Sequence, residues 1–345
     1  MRYKLLGRSG LRVSEIALGT MTFGEDWGWG ASKTESYQIF EAFSEAGGNF
    51  IDTSVNYTDG TSEKFVGEFI HPERDRYVVA TKFSLRADTV DPNDPNAGGN
   101  QRKNMRRAVE TSLRSLNTDY IDLYYLHMWE YMTPVEEVMR GLDDLVSSGK
   151  VLYIGLSDSP AWVASKANML AELRGWSRFV ALQVPYSLVD RAVERDLLPM
   201  ARAEDMAVLA WGILEGGVLT GKYRNAQGAT RYERVSERAI KHGEAVVELA
   251  QQIGHTPAQI AVNWIRQRPW GGAPIIPILG ARSLDQFHDL LGAMDFELTP
   301  EQIANLEQVA PFEIDFPEAF LKSDNVRRLI FGKTFELTDN HRALD

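Results

Sequence analysis

Short apolar runs recur along the chain, separated by longer stretches whose apolar residues fall at helical spacing. The runs are IALGT (16–20), FIDTS (50–54), YVVATK (77–82), IDLYYLH (121–127), YIGLSD (153–158), VALQVPY (180–186), AVLAWGI (207–213) and APIIPIL (273–279). Between them, helices are predicted over about 34–46, 62–70, 101–117, 134–150, 160–175, 194–206, 236–253, 257–268 and 283–293. Gly47-Gly48 closes the first helix, and Pro134 opens another at a first-turn position. Strand–helix alternation of this kind implies parallel strands joined by crossover helices. Eight such units predict an α/β (β/α)8 TIM barrel, a fold that takes about 250 residues plus insertions. The repeat is the βα unit itself, so residues 1–345 are expected to form one domain. Ahead of the barrel, GRSG between MRYKLL and LRVSEIAL predicts a β-hairpin over about 1–15. Behind it, about 299–345 reads as a C-terminal extension with one helix (PEQIANLEQVA) and a weakly periodic polar tail.

Several strands end in polar residues that a core strand does not need. In a parallel barrel all the strands' C-terminal ends face the same way, so Asp52, Tyr57, Lys82 and His127 are expected to converge. A phenol of ordinary pKa near 10 is a poor proton donor and acceptor at neutral pH. An adjacent ammonium would favour the phenolate and lower that pKa, and a carboxylate behind the lysine would hold it charged. His127, on the next strand, could donate to a substrate oxygen. Trp27 and Trp29 after the first barrel strand, with Trp129 and Tyr131 after the fourth, could line an apolar substrate pocket.

Composition narrows the function classes. Lys+Arg number 37 against 48 Asp+Glu, a net charge of −11, which argues against non-specific nucleic-acid or anionic-membrane partners. There is no cysteine, so disulfides, thiolate catalysis and cysteine-ligated zinc are excluded. A metal-dependent barrel hydrolase would need several ligands at strand ends. Of six histidines only His127 stands at one, so no metal is expected. No apolar run is long enough for a membrane span and the N-terminus has no signal-peptide core, so a cytoplasmic enzyme is expected.

In barrels of this kind a phosphate site commonly forms after strands seven and eight. The seventh predicted strand is followed by GILEGGVLTGKY, with Gly216, Gly217, Gly221 and Lys222, and then by Arg231. The eighth is followed by LGARSLDQ, which places Gly280 and Arg282 at a helix start whose free N–H groups favour an anion. Two such loops on adjacent strands point to a dinucleotide. No GxGxxG follows a strand, so a Rossmann site is not supported. Trp211 and Gln183, at the ends of strands seven and six, could stack on a flat ring and bond an amide.

Over about residues 1–310 the chain resembles the aldo-keto reductase superfamily. The matching pieces are the hairpin and LGTMTFG, the D-x4-Y of Asp52 and Tyr57, ATK at 80–82, IDLYYLH, GKVLYIGLSD, ALQVPYSLVDR, GGVLTGKY and PILGARSLDQ. The resemblance implies a barrel that binds NADPH, with NADH also admitted, in an extended pose across its C-terminal face and acts on a small-molecule carbonyl. Tyr57 would then be the general acid/base, tuned by Lys82 and Asp52, with His127 orienting the carbonyl. Gly19, Thr20 and Met21 would lie along the cofactor, while Ser157, Asp158 and Gln183 would hold the carboxamide and Trp211 would stack on the ring. Gly212, Ile213, Leu214, Gly217, Lys222 and Arg231 would meet the pyrophosphate; Gly280, Arg282 and Gln286 would meet the 2′-phosphate end, with Leu290 toward adenine. The chain departs from the usual pattern at three of these. Asp158 stands where Asn is common, Gly212-Ile213 replaces Ser-Pro, and Leu290 replaces Asn. The superfamily also contains a channel-associated regulatory branch that often carries Asn at the position of His127. Reversible reduction of aldehydes or ketones is the expected activity, and a cofactor-binding regulatory subunit is the alternative. The pattern sets no oligomeric state.

Overall fold

The computed structural model of the protein describes residues 1–87, 90–225, 235–268, 273–309 and 311–339. Arg231 lies outside the described residues. Strands β1 (Tyr3–Leu5) and β2 (Arg12–Ser14) pair antiparallel, Tyr3 opposite Ser14, as the hairpin expectation requires. Eight parallel strands then close into a barrel: β3 (Ala17–Gly19), β4 (Phe50–Asp52), β5 (Val78–Phe83), β6 (Ile121–Leu126), β7 (Val151–Ser157), β8 (Phe179–Pro185), β9 (Ala207–Trp211) and β10 (Ile275–Leu279). The seam is narrow: β3 joins β10 through Ala17–Ile278 and Leu18–Leu279 alone.

Helices α1 (Lys33–Glu45), α2 (Thr61–Ile70), α3 (Arg102–Ser115), α4 (Val135–Ser147), α5 (Ala161–Arg174), α6 (Leu197–Ala203), α7 (Glu237–Ile253), α8 (Pro257–Arg266) and α9 (Leu284–Leu291) return the chain between strands or follow them. Their starts are set locally. Ser32, Ser236 and Ser283 cap N-termini, and Thr256 with Gln259 forms a capping box before α8. The extension is more helical than its sequence suggests. After α10 (Pro300–Gln308) come α11 (Glu318–Leu321) and α12 (Asp324–Phe331), where a polar tail was expected. α12 carries its own cap, with Ser323 accepting from Val326 N. Among the described residues no helix is long and apolar enough to cross a membrane.

Two layers of core follow from the period-two alternation of the strands. Phe50, Val78, Ala80, Leu123, Tyr125 and Ile276 point into the barrel, where Leu6 and Val13 of the hairpin segment join them. Ile51, Val79, Tyr124 and Leu126, one residue out of phase, pack outward beneath the helices. The alternation also positions the chemistry. Asp52 follows Phe50 by two residues, Lys82 follows Ala80 by two, and His127 follows Tyr125 by two, so all three continue inward-facing rows.

Candidate active site

Lys82 is 0% exposed at the C-terminal end of the barrel. Its Nζ donates to Asp52 Oδ1 (2.6 Å), Thr53 O (2.8 Å) and Tyr57 Oη (3.1 Å), which uses its three protons. The ammonium also lies 4.6 Å from the centre of the Tyr57 ring. Asp52 is held from the far side of the barrel as well: Gln183 Nε2 donates to its Oδ2 at 2.8 Å. β4 and β8 are diametrically opposite in the closed order, so this bond crosses the barrel. Below it, Tyr125 fills the interior over Gly155. A Cβ on that glycine would stand 2.5 Å from Tyr125 Cε1.

His127 is buried with its ring edge-on to Tyr57, the centroids 6.1 Å apart and the planes at 77°. Its Nδ1 lies 3.3 Å from Ser54 Oγ, and Ser54 in turn donates to Asn56 Oδ1 at 2.8 Å. Its backbone N donates to Ser84 Oγ, fixing the strand end. Burial, and then the Lys82 charge, push the imidazole down to about 3, so it is neutral at ordinary pH. Lys82 is pushed down by burial and up by Asp52 and Tyr57, and ends above its usual value. Tyr57 corrects the sequence expectation. Burial raises the phenol more than Lys82 lowers it, so the net direction is upward and the hydroxyl stays protonated at neutral pH. Asp158 is also pushed up by burial, against the pull of the Trp211 indole and Lys82.

The structure brings Asp52, Tyr57, Lys82, His127 and Gln183 into one cluster. It treats the expected cofactor residues unevenly. Ser157 is buried beside Asp158, whose N donates to Gln183 O. Trp211 is 40% exposed at the end of β9, next to the exposed Gly212. Leu214, Gly217 and Lys222 are at least partly exposed in the following loop, and Gly280, Arg282 and Gln286 are exposed after β10. Ile213 and Leu290, by contrast, are core residues at 4% exposure each. Their side chains complete the packing beneath the loops, so neither offers an open surface to a nucleotide. Gly19 is packed closely, a Cβ there standing 2.7 Å from Ile278 Cγ2, and the fully buried Thr20 commits its hydroxyl to Asp52 O. Met21 is half-buried. The start of α9 is less free than expected. Leu284 N donates to Glu35 Oε1 at 2.5 Å, Gln286 N to Ser283 Oγ, and Arg282 N to Gln286 Oε1.

Of the four expected pocket aromatics, Trp27 and Trp29 pack together with centroids 5.7 Å apart. Tyr131 is 71% exposed, while Trp129 is 8% exposed and its buried Nε1 has no partner among the described residues. Ser54, Asn56 and Glu35 had escaped notice in the sequence. The available signal was the S-x-N immediately after the Asp52 strand, polar where a core strand needs nothing polar.

The sequence pattern of the aldo/keto reductase family matches residues 15–311. The chain is 38% identical to an NADP(+) aryl-alcohol dehydrogenase of Phanerodontia chrysosporium, over 97% of this chain and 89% of that one. It is 37% identical to a norsolorinic acid reductase of Aspergillus flavus, over 92% and 83% of the two chains. It is 34% identical to a putative aryl-alcohol dehydrogenase of Saccharomyces cerevisiae, over 94% and 90%.

Proposed function

The chain belongs to the aldo/keto reductase family and is an oxidoreductase, and on that premise we propose that it interconverts aromatic aldehydes or ketones and their alcohols using NADPH. The observation that carries the proposal is the chain Gln183–Asp52–Lys82–Tyr57, linked by hydrogen bonds of 2.8, 2.6 and 3.1 Å and buried up to Lys82. Tyr57 is protonated at neutral pH and gives its Oη proton to the carbonyl oxygen as that oxygen gains charge. Lys82 stabilises the phenolate left behind, and Asp52, buried beside it, keeps Lys82 charged. His127, uncharged, bonds the substrate oxygen and orients it, as donor to a carbonyl or as acceptor from an alcohol according to its tautomer. When bound, the nicotinamide supplies the hydride.

What supports a dinucleotide is the shape of the loop after β9. Gly212 has φ 73° with nothing within 4 Å of where a Cβ would stand, and Gly216, Gly217 and Gly221 also have positive φ. Such a backbone can approach a pyrophosphate closely, and Lys222 adds charge. In this reading Trp211 stacks on the nicotinamide, Ser157, Asp158 and the side-chain amide of Gln183 hold its carboxamide, and Arg282 with Gln286 holds the 2′-phosphate. The aromatic substrate class rests on the names of two relatives and on the aromatic side chains Trp27, Trp29, Trp129 and Tyr131. The test is NADPH oxidation with a panel of aromatic and aliphatic carbonyls. Turnover with aromatic members, and its loss in Tyr57→Phe, is expected. No turnover with any member would refute the reading.

A further inference from the structure

Ser54 and Asn56 are polar residues to which the proposed reaction gives no task, yet both stand between Asp52 and Tyr57. A serine hydroxyl has one proton. Ser54 Oγ gives that proton to Asn56 Oδ1 at 2.8 Å, so toward His127 Nδ1, 3.3 Å away, its oxygen can only accept. Nδ1 therefore carries the hydrogen. Because the imidazole is neutral, its other nitrogen, Nε2, is left with a bare lone pair.

We propose that Asn56, acting through Ser54, sets the tautomer of His127, holding the proton on Nδ1 and making Nε2 a hydrogen-bond acceptor. Asn56 and Ser54 are positioning residues in this scheme, since neither is assigned a contact with the substrate. The reverse order holds the same number of protons. The Asn56 amide turns so that Nδ2 donates to Ser54 Oγ, Ser54 donates to Nδ1, and Nε2 carries the hydrogen. An Nε2–H donates to a carbonyl oxygen, whereas a bare Nε2 accepts from an alcohol hydroxyl. The orientation of one side-chain amide thus decides which of the two proposed reaction partners His127 can bond.

The test reads nitrogen chemical shifts of isotopically labelled histidine in the unliganded protein, with His127 identified as the signal missing from His127→Asn. Wild type and Asn56→Asp, whose carboxylate always takes the Ser54 proton, are expected to show Nδ1–H. Asn56→Leu and Ser54→Ala, which break the chain at different points, are expected to move toward Nε2–H. Wild type carrying Nε2–H, or both chain-breaking variants leaving the spectrum unchanged, overturns the proposal. The inference rests on the proposed role of His127, and a second readout separates the two. If His127 bonds the substrate, Asn56→Asp raises KM for the carbonyl by up to about tenfold, the worth of one hydrogen bond. The NADPH dissociation constant from tryptophan quenching stays unchanged. The expected spectra with an unchanged KM uphold tautomer control by Asn56 and remove His127 from the substrate.

Discussion

Replacing Asp52 by asparagine would leave Lys82 without a counter-ion and without water to turn to. Lys82 is 0% exposed, and among the described residues the carboxylate 2.6 Å from its Nζ is the one that salt-bridges it. Asparagine keeps the shape and removes the charge. Breaking one side of a buried pair costs about 3–5 kcal/mol, because the remaining ion is left unmatched. The folded variant has one way out, which is to release the Lys82 proton. For a lysine of ordinary pKa near 10.4, that release costs about 5 kcal/mol at pH 7 and about 2 kcal/mol at pH 9. The stability deficit is therefore expected to be about 3–5 kcal/mol at pH 7 and at most about 2 kcal/mol at pH 9. The sign follows from proton counts. In wild type the folded Lys82 titrates above its usual value, so below about pH 10 it is protonated folded or unfolded and adds no slope. In the variant burial acts without Asp52 to oppose it. The folded state then holds fewer protons than the unfolded one, and stability rises with pH. Urea denaturation of both proteins at pH 7 and pH 9, followed by circular dichroism, gives the numbers. A deficit under about 1 kcal/mol at pH 7, or one that does not shrink by pH 9, would show that Lys82 does not depend on Asp52 for its charge.

Tyr57→Phe should cut turnover by roughly a hundredfold or more while leaving NADPH binding nearly intact; turnover within a few-fold of wild type would remove Tyr57 as the proton donor. His127 is held neutral down to about 3, so between the ordinary histidine value and that point the unfolded chain takes up a proton the folded one refuses. Stability lost on acidification from pH 7.5 to pH 5 should accordingly be smaller in His127→Asn than in wild type, and equal losses would contradict the neutral assignment. Arg282→Ala should weaken NADPH by roughly 10- to 150-fold, change NADH little, and lose less at high salt. Glu35→Gln, which removes a carboxylate from the same helix start, should act in the opposite direction on NADPH. Retention of full NADPH preference in Arg282→Ala would place the 2′-phosphate elsewhere. Gly155→Ala would drive a methyl against the Tyr125 ring and should cost about 1–3 kcal/mol in denaturation, with an unchanged midpoint counting against the packing described.

The barrel was legible because its signal is repeated: each strand and its helix restate the same pattern, and the parity of Phe50 and Asp52, or of Ala80 and Lys82, follows from strand geometry. Where one strand meets another across the barrel, sequence spacing is silent. The bond from Gln183 to Asp52 joins residues far apart in the chain and opposite in the barrel, so nothing local announces it. The direction of the Tyr57 shift was misread for a related reason: a nearby ammonium can be inferred from order along the chain, but the depth of burial that outweighs it cannot. Leu290 and Ile213 are matched to cofactor positions by their place in a motif, and motif order does not show that packing buries both side chains. Glu35 was missed because it reaches α9 from α1, at the other end of the sequence. α11 and α12 are short, and their exposed apolar residues blur the periodicity that would mark them.

The seam between β3 and β10 also sets an order of events during synthesis. β3 leaves the ribosome before any other barrel strand, and β10, its partner, leaves after all of them. For that whole interval the backbone groups on one side of Ala17–Gly19 have no strand to pair with, and an unpaired edge is a template for another chain. Closing so long a loop adds little thermodynamic cost, only about 0.6 kcal/mol for each doubling of its length. The hazard is one of time. A chain that stops between His127 and Ile275 contains every member of the proposed catalytic tetrad but keeps two open edges, so possession of the tetrad alone is not expected to make it active.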